Sequence, residues 1–193
     1  MFEVLKKNID KRIKITDNEF ETCTKFFEPR RIKKRQFLLH EREVAKYIAF
    51  VNSGCLRSYT IDHLGNEHVI QFAVKDWWIA DMSSYLSGLP STFNIDALQD
   101  CDVLLLETSK REELLATVPK FERYFRLLME ANYIATHKRI NESLSTSAEE
   151  RYLNFIKNYP NLLEQIPQNQ IASYLGITPQ SLSRIRKELT KKR

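Results

Sequence analysis

Thr178, Gln180, Ser181 and Arg184 stand close together near the end of this 193-residue chain, with Arg186 and Lys187 following. Arginine can hold guanine O6 and N7 through two hydrogen bonds, glutamine can do the same to adenine, and serine reaches a base or a phosphate. A threonine hydroxyl and the N–H groups of a helix start suit a backbone phosphate. The surrounding charge has the matching sign, since Gln168 to Arg193 carries six Lys/Arg against one acidic residue, Glu188. A solvated helix hairpin with a charged face would use the same residue types, so the elements that position them decide between the two.

Those elements can be read around Gly176. Glycine reaches the left-handed backbone region at no steric cost and ends a helix there. Thr178 then supplies an N-cap hydroxyl, and Pro179 takes the first helical position, where a missing N–H costs nothing. Ile171 and Leu175 form an apolar edge on the first helix, and Leu182, Ile185 and Leu189 form one on the second. Ala172 is small where the helices must approach. The pattern is that of a helix-turn-helix, and its basic outer face points to DNA.

The chain is 42% hydrophobic and 28% charged, with a net charge of +5. That is ordinary globular composition with a bias suited to a polyanionic partner. No apolar run approaches the roughly 20 residues needed to cross a bilayer, and Met1–Lys7 opens no signal-peptide pattern, so a cytoplasmic protein is expected. Cys23, Cys55 and Cys101 are scattered and make neither a CxxC pair nor a metal set.

Taken in order, Thr16 and Glu19 are spaced as a capping box opening a helix from about Asp17 to Phe26. The basic run Arg30-Arg31-Ile32-Lys33-Lys34-Arg35 reads as a solvated strand face or a second DNA contact, with the strand favoured. From Val44 to Leu106 the hydrophobic period is two. Strands are predicted at 47–51, 55–61, 68–74, 92–98 and 102–107, with a short helix ending at Gly88, which indicates an antiparallel barrel or roll. A short helix over 108–115 precedes a long one opened by Pro119. The long helix is apolar on more than one side, so Phe121, Tyr124, Phe125, Leu128, Ala131 and Ala135 are candidates for a seam with a second copy. A polar hinge is expected at 141–147, then a helix opened by the Ser147/Glu150 capping box.

A roll, a long helix and a C-terminal helix-turn-helix, in that order, resemble the Crp/Fnr family of bacterial transcription regulators, as does the hairpin with Gly54-x-Leu56-Arg57 and Asp62-x-x-Gly65-x-Glu67. The resemblance implies an α+β chain. A cyclic-nucleotide-binding-like antiparallel β-roll (double-stranded β-helix) would cover 1–118, a dimerisation helix 119–143, and a winged-type helix-turn-helix 144–193. It implies a homodimer on a palindromic double-stranded DNA site, read through Thr178, Gln180, Ser181 and Arg184. Pro179 departs from the polar or basic residue family members often carry there. RNA polymerase and an unidentified small-molecule effector are further partners consistent with the resemblance.

Cyclic-nucleotide binders of the family carry a Gly-Glu-Leu-like turn and an Arg-Ser/Thr-Ala stretch. Here the matching stretches are Ile79-Ala80-Asp81-Met82 and Pro90-Ser91-Thr92-Phe93. Asp81 is one methylene short of the glutamate, and Ser91 stands where the phosphate-binding arginine belongs. Losing that partner costs several kcal/mol, so cyclic AMP binding is not expected and no cofactor is assigned. Trp78 and Phe93, beside Asp81, Ser91 and Thr92, remain candidates for a pocket taking a flatter or more apolar ligand, or are core aromatics.

An oxygenase built on a roll needs a His-x-His or His-x-Asp/Glu pair with a distant histidine, and a serine hydrolase needs Gly-x-Ser-x-Gly. Neither occurs, so no enzyme is expected. The rival reading is a ligand-sensing or protein-interaction module whose helix-turn-helix docks a protein partner.

Overall fold

The computed structural model describes residues 1–163 and 165–191 and divides into two compact units, Met1–Thr60 with Gln71–Ala131, and Ile61–Ile70 with Asn132–Arg193.

The strands between Phe27 and Glu107 form two antiparallel four-stranded sheets. β1 (Phe27–Ile32), β3 (Tyr47–Ser53), β6 (Trp78–Ile79) and β8 (Cys101–Glu107) form one, ordered β1-β8-β3-β6. β2 (Phe37–Leu39), β4 (Cys55–Ile61), β5 (Glu67–Val74) and β7 (Asn94–Ala97) form the other, ordered β2-β7-β4-β5. β8 is central because its run Val103–Leu106 is apolar on both faces, and all four of those residues are buried. It pairs Leu104 with Pro29 on one side and with Phe50 on the other. Gly54 turns the chain between β3 and β4 at φ +87°, where a Cβ would lie 2.3 Å from the Asp100 carbonyl oxygen. No larger residue fits there.

Helices pack onto this core. α1 (Glu3–Asp10) buries Leu5 and Ile9, four residues apart on one face. α2 (Asp17–Thr24) opens with the predicted capping box: the Glu19 N–H donates to Thr16 Oγ1 at 3.2 Å, and the Thr16 N–H donates to Glu19 Oε2 at 2.7 Å. α3 (Met82–Ser87) ends at Gly88, and α4 (Thr108–Thr117) buries Leu114. The basic run behaves as a strand face. Arg30 donates to Glu28 at 2.9 Å and lies over the Tyr47 ring, while Arg31 pairs with Asp100.

α5 (Lys120–Ser145) begins in the first unit and ends in the second. It runs through most of the expected 141–147 hinge, because the polar side chains there bond to their own helix. Ser143 Oγ donates to the Ile140 carbonyl and Ser145 Oγ to that of Asn141, both at 2.7 Å. The helix breaks only at Thr146. α6 (Ala148–Asn158) follows, opened by the Ser147/Glu150 capping box. α7 (Gln168–Tyr174) and α8 (Pro179–Lys191) complete the second unit. The wing is a correction: among the described residues no strand follows β8. Between α6 and α7 the described residues include a 3-10 turn at Pro160–Leu162, and Pro160 and Pro167 there disfavour strand pairing. Ile61–Ile70 joins this unit through Ser173, whose Oγ donates to the Glu67 carbonyl at 2.7 Å and accepts from the Val69 N–H at 2.9 Å.

Candidate nucleic-acid interface

The helix-turn-helix is built from the inside out. Ile171, Ala172, Leu175, Leu182 and Ile185 are buried, and Tyr152 and Phe155 of α6 are buried in the same unit. Their spacing turns Leu182 and Ile185 inward, one turn apart. Gly176 adopts φ +66°, and the Ile177 N–H returns to the Ala172 carbonyl at 3.0 Å, closing α7 as a helix ended by a left-handed glycine should close. Thr178 caps α8, its Oγ1 accepting the Ser181 N–H at 3.1 Å.

With that face buried, Gln180, Arg184, Arg186 and Lys187 are exposed, and Thr178 is exposed at the helix start. Gln180, Arg184 and Lys187 lie on the side opposite Leu182 and Ile185, since α-helical residues four and seven apart share a face. Among the described residues none of their side chains has a hydrogen bond or ion pair. Ser181 is different. It is half-buried, and its Oγ accepts from the Thr178 hydroxyl at 3.0 Å, which ties it to the cap. Sequence reasoning passed over Ser183, which is exposed beside Lys187 and lines a groove with Gln168, Pro179, Arg186 and Thr190. Projecting the helix at 100° per residue would have found it, because Ser183 falls on the outward side and Ser181 at its edge.

The other candidate residues are placed otherwise. Phe121, Tyr124 and Phe125 are buried with their rings edge-on or tilted to one another, and Tyr124 and Phe125 also meet Trp78 edge-on, so as seam residues they are corrected to core. A chain of hydrogen bonds runs through the Tyr124 end of this cluster. Trp78 Nε1 donates to Tyr124 Oη at 3.0 Å, Tyr124 donates to Asn8 Oδ1 at 2.6 Å, and Asn8 Nδ2 donates to the Asp76 carbonyl at 2.8 Å. Burial pushes the Tyr124 hydroxyl well above its ordinary pKa. Trp78 is half-buried and packs against the same core. Leu128 is half-buried against the same core, while Ala131 and Ala135 are exposed.

In the stretch matched to the family's cyclic-phosphate site, Asp81 and Ser91 bond within the chain. Asp81 is 2% exposed; its Oδ1 accepts the Ser84 N–H at 3.1 Å, capping α3, and its Oδ2 accepts the Ser91 hydroxyl at 2.7 Å. Ser91 Oγ also accepts the Phe93 N–H at 2.9 Å, so both side chains are engaged within the chain. Thr92 is exposed and Phe93 half-buried. Close by in the register, Arg57 on β4 meets Asp96 on β7 in a buried two-point pair at 2.8 and 2.9 Å, with the guanidinium 3.9 Å above the Tyr59 ring. Nothing in the sequence singled out that pair, because residues 39 apart become neighbours only through the strand register. Among the described residues no group of His, Cys, Asp or Glu could hold a metal ion. Burial pushes the Cys23 and Cys55 thiols up to about 12 and that of Cys101 to about 11, which leaves all three as thiols. No helix is long and apolar enough to cross a membrane among the described residues.

The cyclic nucleotide-binding domain family matches residues 29–118. The chain is 24% identical over 180 residues to the electron transport regulator A of Shewanella oneidensis, covering 87% of this chain and 71% of that one. It is 23% identical over 185 residues to the fumarate and nitrate reduction regulatory protein of Yersinia pestis, covering 89% and 72%. Among solved structures, FixK2 from Bradyrhizobium japonicum shares the fold at a TM-score of 0.73 and 20% identity, over 86% of this chain and 85% of that one.

Proposed function

We propose that this chain, a member of the Crp/Fnr family, acts as a DNA-binding transcription regulator that reads a palindromic site as a homodimer. The observation that carries the reading is the outward face of α8, where Gln180, Ser183, Arg184 and Lys187 are exposed on a helix fixed from behind by Leu182 and Ile185. Arg184 and Gln180 have the chemistry of purine readers, while Arg186, Lys187 and Thr178 suit phosphates.

The second copy meets α5. Tyr133, His137, Ile140 and Leu144 are spaced by four, three and four residues, the pattern of a coiled-coil seam, and all are exposed, Leu144 at 83%. Met129, one turn earlier, is also exposed, and this face lies opposite the one that buries Tyr124. The seam therefore runs through these residues rather than through Phe121, Tyr124 or Phe125. The internal engagement of Asp81 and Ser91 supports a regulator that does not answer to cyclic AMP, since Ser91 brings no positive charge to the place of the phosphate-binding arginine. A cytoplasmic regulator of this kind would act on RNA polymerase, and any effector would be of another chemistry.

Selection of bound fragments from genomic DNA by the purified protein tests this. A single palindromic motif, recovered equally with and without cyclic AMP, is expected. Recovery of a motif only with the nucleotide would overturn the reading of Asp81 and Ser91, and recovery of no motif would favour a protein partner for α7 and α8.

A further inference from the structure

The junction between α5 and α6 is held by one side chain with two ends to hold. Arg151, half-buried in the first turns of α6, donates Nη1 to the Thr146 carbonyl at 2.6 Å and Nε to the Leu175 carbonyl at 3.1 Å. Both acceptors lie just past helix C-termini, that of α5 and that of α7, where carbonyls lack intrahelical donors and carry the negative end of the helix dipole. Each is orphaned for a specific reason. The residue four beyond Leu175 is Pro179, which has no N–H to give. The residue four beyond Thr146 is Glu150, whose N–H is bound to the Ser147 hydroxyl at 3.2 Å. A cation in the opening turns of a helix is disfavoured by that helix's own dipole, so Arg151 is ill placed for α6 alone. Its position is favourable because it answers two other helix ends at once. Side chains on an α-helix lean toward the N-terminus, which is the direction of Thr146.

A second polar contact crosses the same junction, Asn154 Nδ2 donating to Glu142 Oε1 at 3.1 Å. Tyr152 and Phe155, buried on α6, fix that helix to the helix-turn-helix by apolar packing. The link from α6 back to α5 is polar and directional, and directional bonds set an angle where apolar packing permits sliding.

We infer that Arg151 is a positioning residue that fixes the angle between the seam-bearing half of α5 and the helix-turn-helix, and thereby sets the spacing between the two half-sites that a dimer reads. The inference rests on the dimeric DNA reading proposed above. In a two-fold dimer the separation of the recognition helices is a geometric consequence of that angle. Arg151 touches no base in this account. It acts through Thr146 and Leu175, and lysine, with a single ammonium, can satisfy only one of those carbonyls well.

The test uses the full chain with Arg151→Gln and Arg151→Lys. Half-site sequence is determined first by selection from random DNA, and a second selection then presents two such half-sites separated by spacers of graded length. The expected result is one half-site motif shared by all three proteins, with Arg151→Gln losing about tenfold of the wild-type preference for its best spacer over the next. Arg151→Lys should fall between them. Wild-type spacer preference in Arg151→Gln, with affinity lowered alike at every spacer, would overturn the inference, since loss of stability alone gives that pattern. A wild-type protein that selects no palindrome would remove the dimeric DNA reading itself, and the inference with it.

Discussion

The inside of the roll and the outside of α8 are both rich in polar side chains, and they differ in where those side chains find partners. In the roll, Asp81 is engaged by Ser84 and Ser91, and Arg57 by Asp96, all within the protein. On α8, Gln180, Ser183, Arg184 and Lys187 face outward with no intramolecular partner among the described residues. A buried polar group without a partner costs about 1–3 kcal/mol or more, so the roll's groups are obliged to satisfy one another. Solvent satisfies the groups on α8 until a partner replaces it. A site whose groups are already bonded to each other is a poor receptor for a charged ligand, and a rigid face whose groups are bonded only to water is a good one. The difference supports the proposed recognition by α8.

The comparison breaks first, if it breaks, at the buried pair. Asp96→Ala leaves Arg57 charged and buried and should cost about 3–5 kcal/mol of stability, read as a shift in the denaturant midpoint. A shift below about 1 kcal/mol would mean that the pair is solvated. Phe121→Ala should cost a comparable amount, about 3–5 kcal/mol, while leaving the dimer dissociation constant unchanged in sedimentation. Tyr133→Glu and Ile140→Glu together should do the reverse, dissociating the dimer with little effect on the melting of the roll. A dimer that survived both charges would move the seam off this face of α5. A smaller effect concerns the cap: Thr178→Ala should destabilise the start of α8 by about 1 kcal/mol, and circular dichroism melts would detect it. Lys187→Ala should weaken all DNA sequences alike and reduce the salt dependence of binding by about one ion.

The outline of the molecule was legible because local chemistry dictated it. The Thr16/Glu19 and Ser147/Glu150 boxes, Gly88 and Gly176 mark helix ends where the structure has them. Period-two stretches from Tyr47 to Leu106 became strands of the two sheets. What local chemistry could not supply was the identity of the neighbour. The apolar positions of α5 announced more than one buried face, but only the folded chain shows that Phe121, Tyr124 and Phe125 meet Trp78 and the roll, leaving Tyr133, Ile140 and Leu144 uncovered. Arg57 and Asp96 were invisible for the same reason. The polar stretch after Asn141 looked like a hinge by composition and proved helical, because its hydroxyls bond to the preceding turn. On α8 the limit was narrower, since Gly176, Thr178 and Pro179 fixed the helix and its phase, from which the exposure of Ser183 and the half-burial of Ser181 could have been read.

If the outward face of α8 reads bases, Arg184 is its most specific representative. The measurement is binding of the wild-type protein and Arg184→Ala to the selected palindrome and to versions substituted one base pair at a time. Wild type should discriminate strongly at one purine per half-site, and Arg184→Ala should lose about 1–3 kcal/mol of discrimination at that position alone. Equal weakening at every position would contradict it, reducing Arg184 to a phosphate contact and leaving α8 without its principal base reader.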